Sequence, residues 1–406
     1  MKLKRFKSVG HKEMKAASKV INSGVLSDFI ASKGKSFLGG KYVKNFEKKI
    51  CKFYNSKFAI TTNSWTSGLI CAIGALDIEP GDEIICSPWT MSASAISILH
   101  WNAIPVLVDI NYKTFQLDLN QVKKNISNKT KAIIAVDIFG RSENIFELKK
   151  IAKQYNLKII SDSAQSPYTF YKNKLAGTQT DIGGFSLNCH KHINTGEGGI
   201  LVTNSRKFAE RMRLIRNHAE NSLDDLRSKK KLSNMIGYNF RLGEIESAIG
   251  IEQLKKLKKI VIFRQKLAKI LIKNLNKING LILPNLNKYE THSFYVFPII
   301  LDDKILKHRE KIFQLLTKHG VPGLMKGYIN LATLPIFKNK IAYGTKGFPW
   351  KYFNSKVNYN LKKFKNTNKL NQKSFIGIQL CAYDFKEIHM KKIAYSFIKV
   401  WKKLKL

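Results

Sequence analysis

Seven short apolar runs, separated by stretches of helical periodicity, fill residues 40–205, and no other feature constrains the fold of this chain as strongly. They are FAITT (58–62), EIICS (83–87), IPVLVDI (104–110), KAIIAVDIF (131–139), LKIISD (157–162), GGFSL (183–187) and GGILVTN (198–204). Between several of them lie helical patterns such as VKNFEKKICKFY (43–54), TSGLICAIGAL (66–76) and NIFELKKIAKQY (144–155). Short β-rich runs joined by helical crossovers predict an α/β domain built on a mainly parallel sheet of seven strands covered by helices. Residues 206–275 read as mostly helical, interrupted by a polar, Lys-rich loop near 221–234. From LILPNLN (281–287) the pattern changes to the strand SFYVFPIILD, the helix REKIFQLLTKHG, a long irregular stretch and a final helix ending IKVWKKLKL. The expected organisation is a large α/β domain over 1–260 and a smaller C-terminal α+β domain over 261–406.

Composition narrows the function classes. With 71 Lys+Arg against 28 Asp+Glu the chain carries +43, which raises the question of nucleic acid. Only ten of those residues are Arg, and the lysines alternate with apolar positions, as in KKIVIFRQKLAKILIKNLNKI. That pattern is a solvated lysine coat rather than a base-reading surface, for which Arg forks are the stronger sign. No specific nucleic-acid partner is expected, although a positive field also attracts small phosphorylated substrates. The basic N-terminus lacks the apolar core of a signal peptide, and no apolar run approaches the ~18 residues of a membrane span. Five scattered cysteines, none in a CxxC pair, read as reduced thiols of a soluble cytoplasmic protein. The close pair His190 and His192 has no third ligand at metal spacing, so no metal is expected.

Three motifs could carry chemistry. KIISDSAQS (158–166) ends a buried strand on Asp162, where ligands collect in parallel α/β sheets. The same Asp also suits a helix cap, and Gln165 fits either reading. NSWTSGL (63–69) opens a helix with Ser64, Thr66 and Ser67, which is either a phosphate cradle or an ordinary N-cap, with Trp65 equally able to pack. FSLNCHKHINTGEGGILVT (185–203) places a lysine in a loop between two core strands, before glycines that let the backbone turn tightly. Such a lysine can form an imine with a carbonyl cofactor, while a surface lysine among many is the plain alternative. Together a phosphate cradle, a strand-end acid and a loop lysine suit pyridoxal 5'-phosphate.

These motifs, with LGGKYVKNFEKKICKFY (38–54), EPGDEIICSPWT (79–90), VDIFG (136–140), GYNFRLGEIESAIGIEQL (237–254) and IQLCAYDF (378–385), run in the order found in the DegT/DnrJ/EryC1/StrS family of pyridoxal-phosphate enzymes. The chain resembles the nucleotide-sugar aminotransferases of that family over most of its length. The resemblance implies a type I (aspartate aminotransferase-like) fold and a homodimer with shared active sites. It also implies transfer of an amino group, with glutamate as donor, to a nucleotide-linked keto sugar. By the same resemblance Lys191, five residues before Gly196, holds the cofactor, and Asp162 pairs with its ring nitrogen. Gln165 approaches the ring hydroxyl, Thr66, Ser67 and Ser186 anchor the phosphate, and Asn239 reaches that phosphate from the neighbouring subunit.

The chain departs from the family pattern at three places. Trp65 stands where Gly is common, Asp137 where His is common, and Met91 where an aromatic follows the threonine. Trp89, on the other side of Thr90, is the favoured residue to stack on the cofactor ring for its flat face, with Met91 the alternative. Two rival functions are a dehydratase of the same family, in which a histidine replaces the lysine, and a non-enzymatic basic protein that binds nucleic acid. Lys191 counts against the first, and Lys191 with Asp162 against the second.

Overall fold

The computed structural model describes residues 1–32, 34–220 and 235–406; the Lys-rich loop expected near 221–234 lies outside the described residues. The strands of the first half are β1 (Phe58–Thr62), β2 (Glu83–Cys86), β3 (Ile104–Leu107), β4 (Thr130–Val136), β5 (Lys158–Asp162), the hairpin β6 (Phe170–Tyr171) and β7 (Lys174–Leu175), β8 (Ile182–Ser186) and β9 (Gly199–Thr203). Seven of them form one sheet in the order β1-β9-β8-β5-β4-β2-β3. Only β9 runs against its neighbours β1 and β8; the other pairings are parallel. The expected mainly parallel sheet is therefore the observed one. Nearly every residue of these seven strands is buried, as a sheet covered on both faces requires.

Helices α1 (His11–Ser23), α2 (Lys41–Tyr54), α3 (Trp65–Gly74), α4 (Ala93–Leu99), α5 (Leu119–Lys124), α6 (Ile145–Gln154) and α7 (Arg206–Arg216) accompany the large sheet. The 32-residue α8 (Glu244–Leu275) then runs straight through residue 260. Its first half buries Leu254, Leu257 and Val261 in the core beside β1, β8 and β9, while Leu267, Leu271 and Leu275 enter a second core. That second core surrounds an antiparallel sheet of β10 (Leu281–Ile282), β11 (Phe297–Leu301), β12 (Leu324–Met325) and β13 (Phe375–Ile378). Helices α9 (Arg309–Lys318) and α10 (Glu387–Leu404) cover it. Residues Met1 and Leu3 pack on the same core and Phe6 N–H donates to Ala382 O, in the turn between β13 and α10. Among the described residues no helix is long and apolar enough to cross a membrane.

Two buried acids lie just past the end of β4. Asp137 accepts from the Glu143 N–H at 2.7 Å and from the Ser163 hydroxyl, and burial pushes its pKa up to about 7. Glu143 accepts from the Leu117 N–H at 2.9 Å, its Oε2 is buried without a partner, and burial pushes it up to about 8. Asp137 does not line the cavity described below, so this departure from the family pattern is spent on the interior. A folded-state pKa above the unfolded one means that the folded chain holds the extra proton. The stabilisation is complete below the unfolded carboxyl pKa of ~4.3 and is lost as pH rises through about 8. Glu143→Gln should remove this dependence. Urea unfolding at several pH values should show the wild type losing up to ~1.4 kcal/mol per pH unit relative to the variant between about pH 5 and 8. A difference that stays flat with pH would mean that Glu143 is ionised in the folded protein.

Candidate active site

Three chain turns meet at the carboxyl ends of β1, β5 and β8. The turn after β1 starts α3: the Ser64 side chain caps it by accepting the Ser67 N–H at 3.0 Å. The first amides of a helix have no intrahelical acceptor, so those of Trp65 and Thr66 face outward at the helix start. The turn after β5 carries Asp162 and Gln165. After β8 the chain passes Ser186 and Asn188, reaches Lys191, and doubles back through Gly196 and Gly198, whose positive φ values of 87° and 154° suit glycine. Asn188 ties this loop together by donating to Glu197 Oε1 at 2.8 Å.

These turns line a cavity of about 320 Å³. Of the residues expected at the site, it brings together Thr66, Asp162, Gln165, Ser186, Lys191 and Met91. Asp162 is buried and held on both oxygens: Trp65 Nε1–H donates to Oδ1 at 2.7 Å, and the Ser94 hydroxyl to Oδ2 at 2.7 Å. Gln165 Oε1 accepts from the Phe139 N–H at 2.8 Å, and its Nε2 donates to the Tyr328 hydroxyl at 3.1 Å.

Of the three consecutive nitrogen-bearing side chains, only Lys191 suits the interior of this cavity. Its Nζ sits 4.6 Å from the Tyr295 ring centroid, and burial draws its pKa down while the Asp162 charge opposes the shift. His190 is exposed at the rim. His192 is fully buried on the other side of the loop, with Nε2 3.0 Å from Ser293 O, and burial and the Arg264 charge push its pKa down to about 3.

Three expected residues lie elsewhere. Trp89 is not at the cavity: it is completely buried among Phe115, Phe139 and Phe375, and its indole N–H donates to Tyr328 O. Its large ring gains more from that aromatic core than from a half-open pocket, and the same loop turns Met91, 57% exposed, onto the cavity instead. Ser67 is buried, with its hydroxyl 2.9 Å from that of Ser64, and Ser64 takes its place in the lining. Asn239 is exposed and absent from the lining of its own chain's cavity. Two tyrosines of the lining were not marked by the sequence. Tyr295 sits in the segment read only as a strand, and Tyr328 in the irregular stretch before the last helix. Burial raises both phenols, Tyr328 to about 12, so its hydroxyl keeps its proton.

Residues 27–369 match the DegT/DnrJ/EryC1/StrS aminotransferase family. The chain belongs to that family. GDP-perosamine synthase of Caulobacter vibrioides is 30% identical over 72% of this chain and 80% of its own. UDP-4-amino-4,6-dideoxy-N-acetyl-beta-L-altrosamine transaminase of Campylobacter jejuni (strain 81-176) is 32% identical over 72% of this chain and 77% of its own. Among solved structures, Helicobacter pylori PseC, an aminotransferase involved in the biosynthesis of pseudoaminic acid, superposes with a TM-score of 0.81 at 25% identity over 98% of both chains. The fold is thus the type I fold of pyridoxal-phosphate enzymes, and the protein is a pyridoxal-phosphate-dependent aminotransferase.

The cavity fits that cofactor. It offers one amine, one fixed carboxylate, and a helix start with free amides beside the hydroxyls of Ser64, Thr66 and Ser186, a donor set suited to a phosphate.

Proposed function

We propose that this enzyme transfers an amino group from glutamate to the keto carbon of a nucleotide-linked sugar, as a cytoplasmic homodimer supplying amino-sugar and surface-polysaccharide synthesis. The observation that carries the reading is that Lys191 shares one cavity with Asp162, Gln165 and the N-terminus of α3, while His190 stands at its exposed rim and His192 is absent from its lining. The relatives named above, one acting on a GDP sugar and one on a UDP sugar, support the substrate class. Five free cysteines agree with a reducing compartment.

In this reading Lys191 holds the cofactor, and Thr66, Ser186, Ser64 and the α3 amides hold its phosphate. Pyridoxal phosphate, when bound, supplies an aldehyde that takes up amines and a conjugated ring that accepts electrons. The chain supplies the rest. Asp162, buried and held on both oxygens, would face the ring nitrogen with its carboxyl group. Gln165, fixed by Phe139 and Tyr328, keeps one N–H of its two for the ring hydroxyl. Once the amino donor has displaced it from the cofactor, the Lys191 amine, made easier to deprotonate by burial, would be the base that takes the proton from the donor's α-carbon and gives it back. Met91, which lines the cavity, would be the residue to cover the ring, with a polarizable thioether in place of an aromatic.

The test is incubation of the purified protein with glutamate and a panel of nucleotide-linked 3-keto and 4-keto sugars, read by mass spectrometry. Nitrogen should appear in one sugar of the panel and 2-oxoglutarate should accumulate. Loss of a hydroxyl without gain of nitrogen would put the enzyme on the dehydratase branch.

A further inference from the structure

The mechanism makes no use of the hydrogen bond from Trp65 Nε1 to Asp162 Oδ1. A carboxylate has about four acceptor positions, two on each oxygen. In this site the chain fills three of them. Oδ1 accepts from Trp65 at 2.7 Å and from the Ala164 N–H at 3.3 Å, and Oδ2 accepts from the Ser94 hydroxyl at 2.7 Å. The single position left lies on Oδ2.

The indole is seated, not incidental. Its six-membered ring lies against two glycines. A Cβ at Gly184 of β8 would stand 2.2 Å from Trp65 Cζ3, and one at Gly68 of α3 would stand 2.8 Å from Cε3. Trp65 itself is nearly fully buried, yet it borders the cavity between Thr66 and Asp162. A bulky donor has therefore been fitted under the acid, against backbone that leaves room for it only at two glycines.

We infer that Trp65 is a positioning residue for the reaction: its indole N–H occupies Oδ1 and locks the carboxylate plane, so that Asp162 meets the cofactor's ring nitrogen through Oδ2 in one fixed orientation. The inference rests on the assignment of Asp162 proposed above. Rotation of the carboxylate would break both the Trp65 and the Ser94 bonds, and charge-assisted bonds of this kind are the stronger ones. Without the indole, Asp162 loses one of the two short side-chain bonds that fix its direction, which is the quantity that pre-organised electrostatics depends on.

Three variants of the full-length protein test this. Trp65→Phe keeps the ring and its packing but removes the donor. Gly68→Ala keeps the donor but pushes the ring. Asp162→Asn removes the charge. In apoprotein labelled with 15N, the chain's five tryptophans give five indole signals, and the one missing in Trp65→Phe belongs to Trp65. That signal should lie downfield and move upfield in Asp162→Asn, whereas an unmoved signal would overturn the contact itself. In the holoenzyme, Trp65→Phe should raise the cofactor dissociation constant about tenfold, the effect of one charge-assisted bond. It should lower kcat with KM for glutamate unchanged, and a lower apoprotein Tm without those two changes would leave Trp65 a merely structural role. Gly68→Ala should shift cofactor affinity in the same direction. If Asp162→Asn loses affinity while Trp65→Phe binds and turns over like the wild type, the inference falls and the site assignment stands. If neither variant changes binding or turnover, the assignment of Asp162 falls with it.

Discussion

Lys191→Ala should lose covalent cofactor attachment and nearly all turnover, while His190→Ala keeps both. The expected fall in kcat is at least the ~10²–10⁴ that a positioned proton-transfer group contributes, because this residue serves as both holder and base. Borohydride reduction followed by peptide mapping is the direct check: in the wild type the label should sit on the peptide containing Lys191, and in the variant no labelled peptide should remain. His192→Ala is the informative control. Its ring is fully buried and bonded to Ser293 O, so the variant should lose stability, on the order of 1 kcal/mol for the bond plus the cost of the space left. It should still carry the label, since His192 lies on the opposite side of the loop from the cavity. A label found on another lysine in Lys191→Ala would overturn the assignment.

What could be read from the sequence, and what could not, follows from how local each signal is. The strands were legible because buried parallel strands are short, apolar on both faces and bounded by polar turns; the run 158–162 is strand β5 and ends on Asp162 as expected. Boundaries drifted where the chain leaves the sheet for the site. IPVLVDI was expected as a strand to residue 110, but β3 ends at Leu107, and KAIIAVDIF gives way at Asp137 to a 3-10 turn. There Phe139 adopts φ 58° and turns its N–H to Gln165. Asp162, Thr66 and Lys191, which share the cavity, could be singled out because they stand at a strand end, at a helix start and in the loop before a glycine turn, whereas Gln165 and Ser186 were placed there by the family resemblance.

Residues whose role depends on remote packing were not. Trp89 and Met91 stand two positions apart in one loop, and residue type alone favoured the flat ring. Which of them faces the cavity is decided by Phe115, Phe139 and Phe375, three aromatics from distant parts of the chain that enclose the indole. Tyr295 and Tyr328 reach the cavity from segments more than 100 residues after Lys191. No local pattern marks them. The Trp65–Asp162 bond was hidden for the same reason: it spans 97 positions of sequence, and a tryptophan beside a helix cap looks like ordinary packing until its partner is placed.

Asn239 leads to the second large effect. It lies exposed outside its own chain's cavity, and the proposed shared site assigns it to the phosphate of the neighbouring subunit. Each site of such a dimer draws Lys191 from one chain and Asn239 from the other. Homodimers of Lys191→Ala and of Asn239→Ala should then both be impaired, the first nearly completely and the second through a lost phosphate contact. In a mixed dimer, one site collects both defects and the other collects neither. Mixing the two variants under conditions that let subunits exchange should therefore restore activity towards half the wild-type value for each mixed dimer. If Asn239 served its own chain, every site in the mixture would keep one defect and activity would not rise above the average of the parents. Subunit exchange must be demonstrated independently, by tagging one variant and recovering the untagged partner with it, because subunits that never exchange would imitate that negative result. With exchange shown, recovery supports a site built across two chains, and its absence returns Asn239 to the surface of a self-contained one.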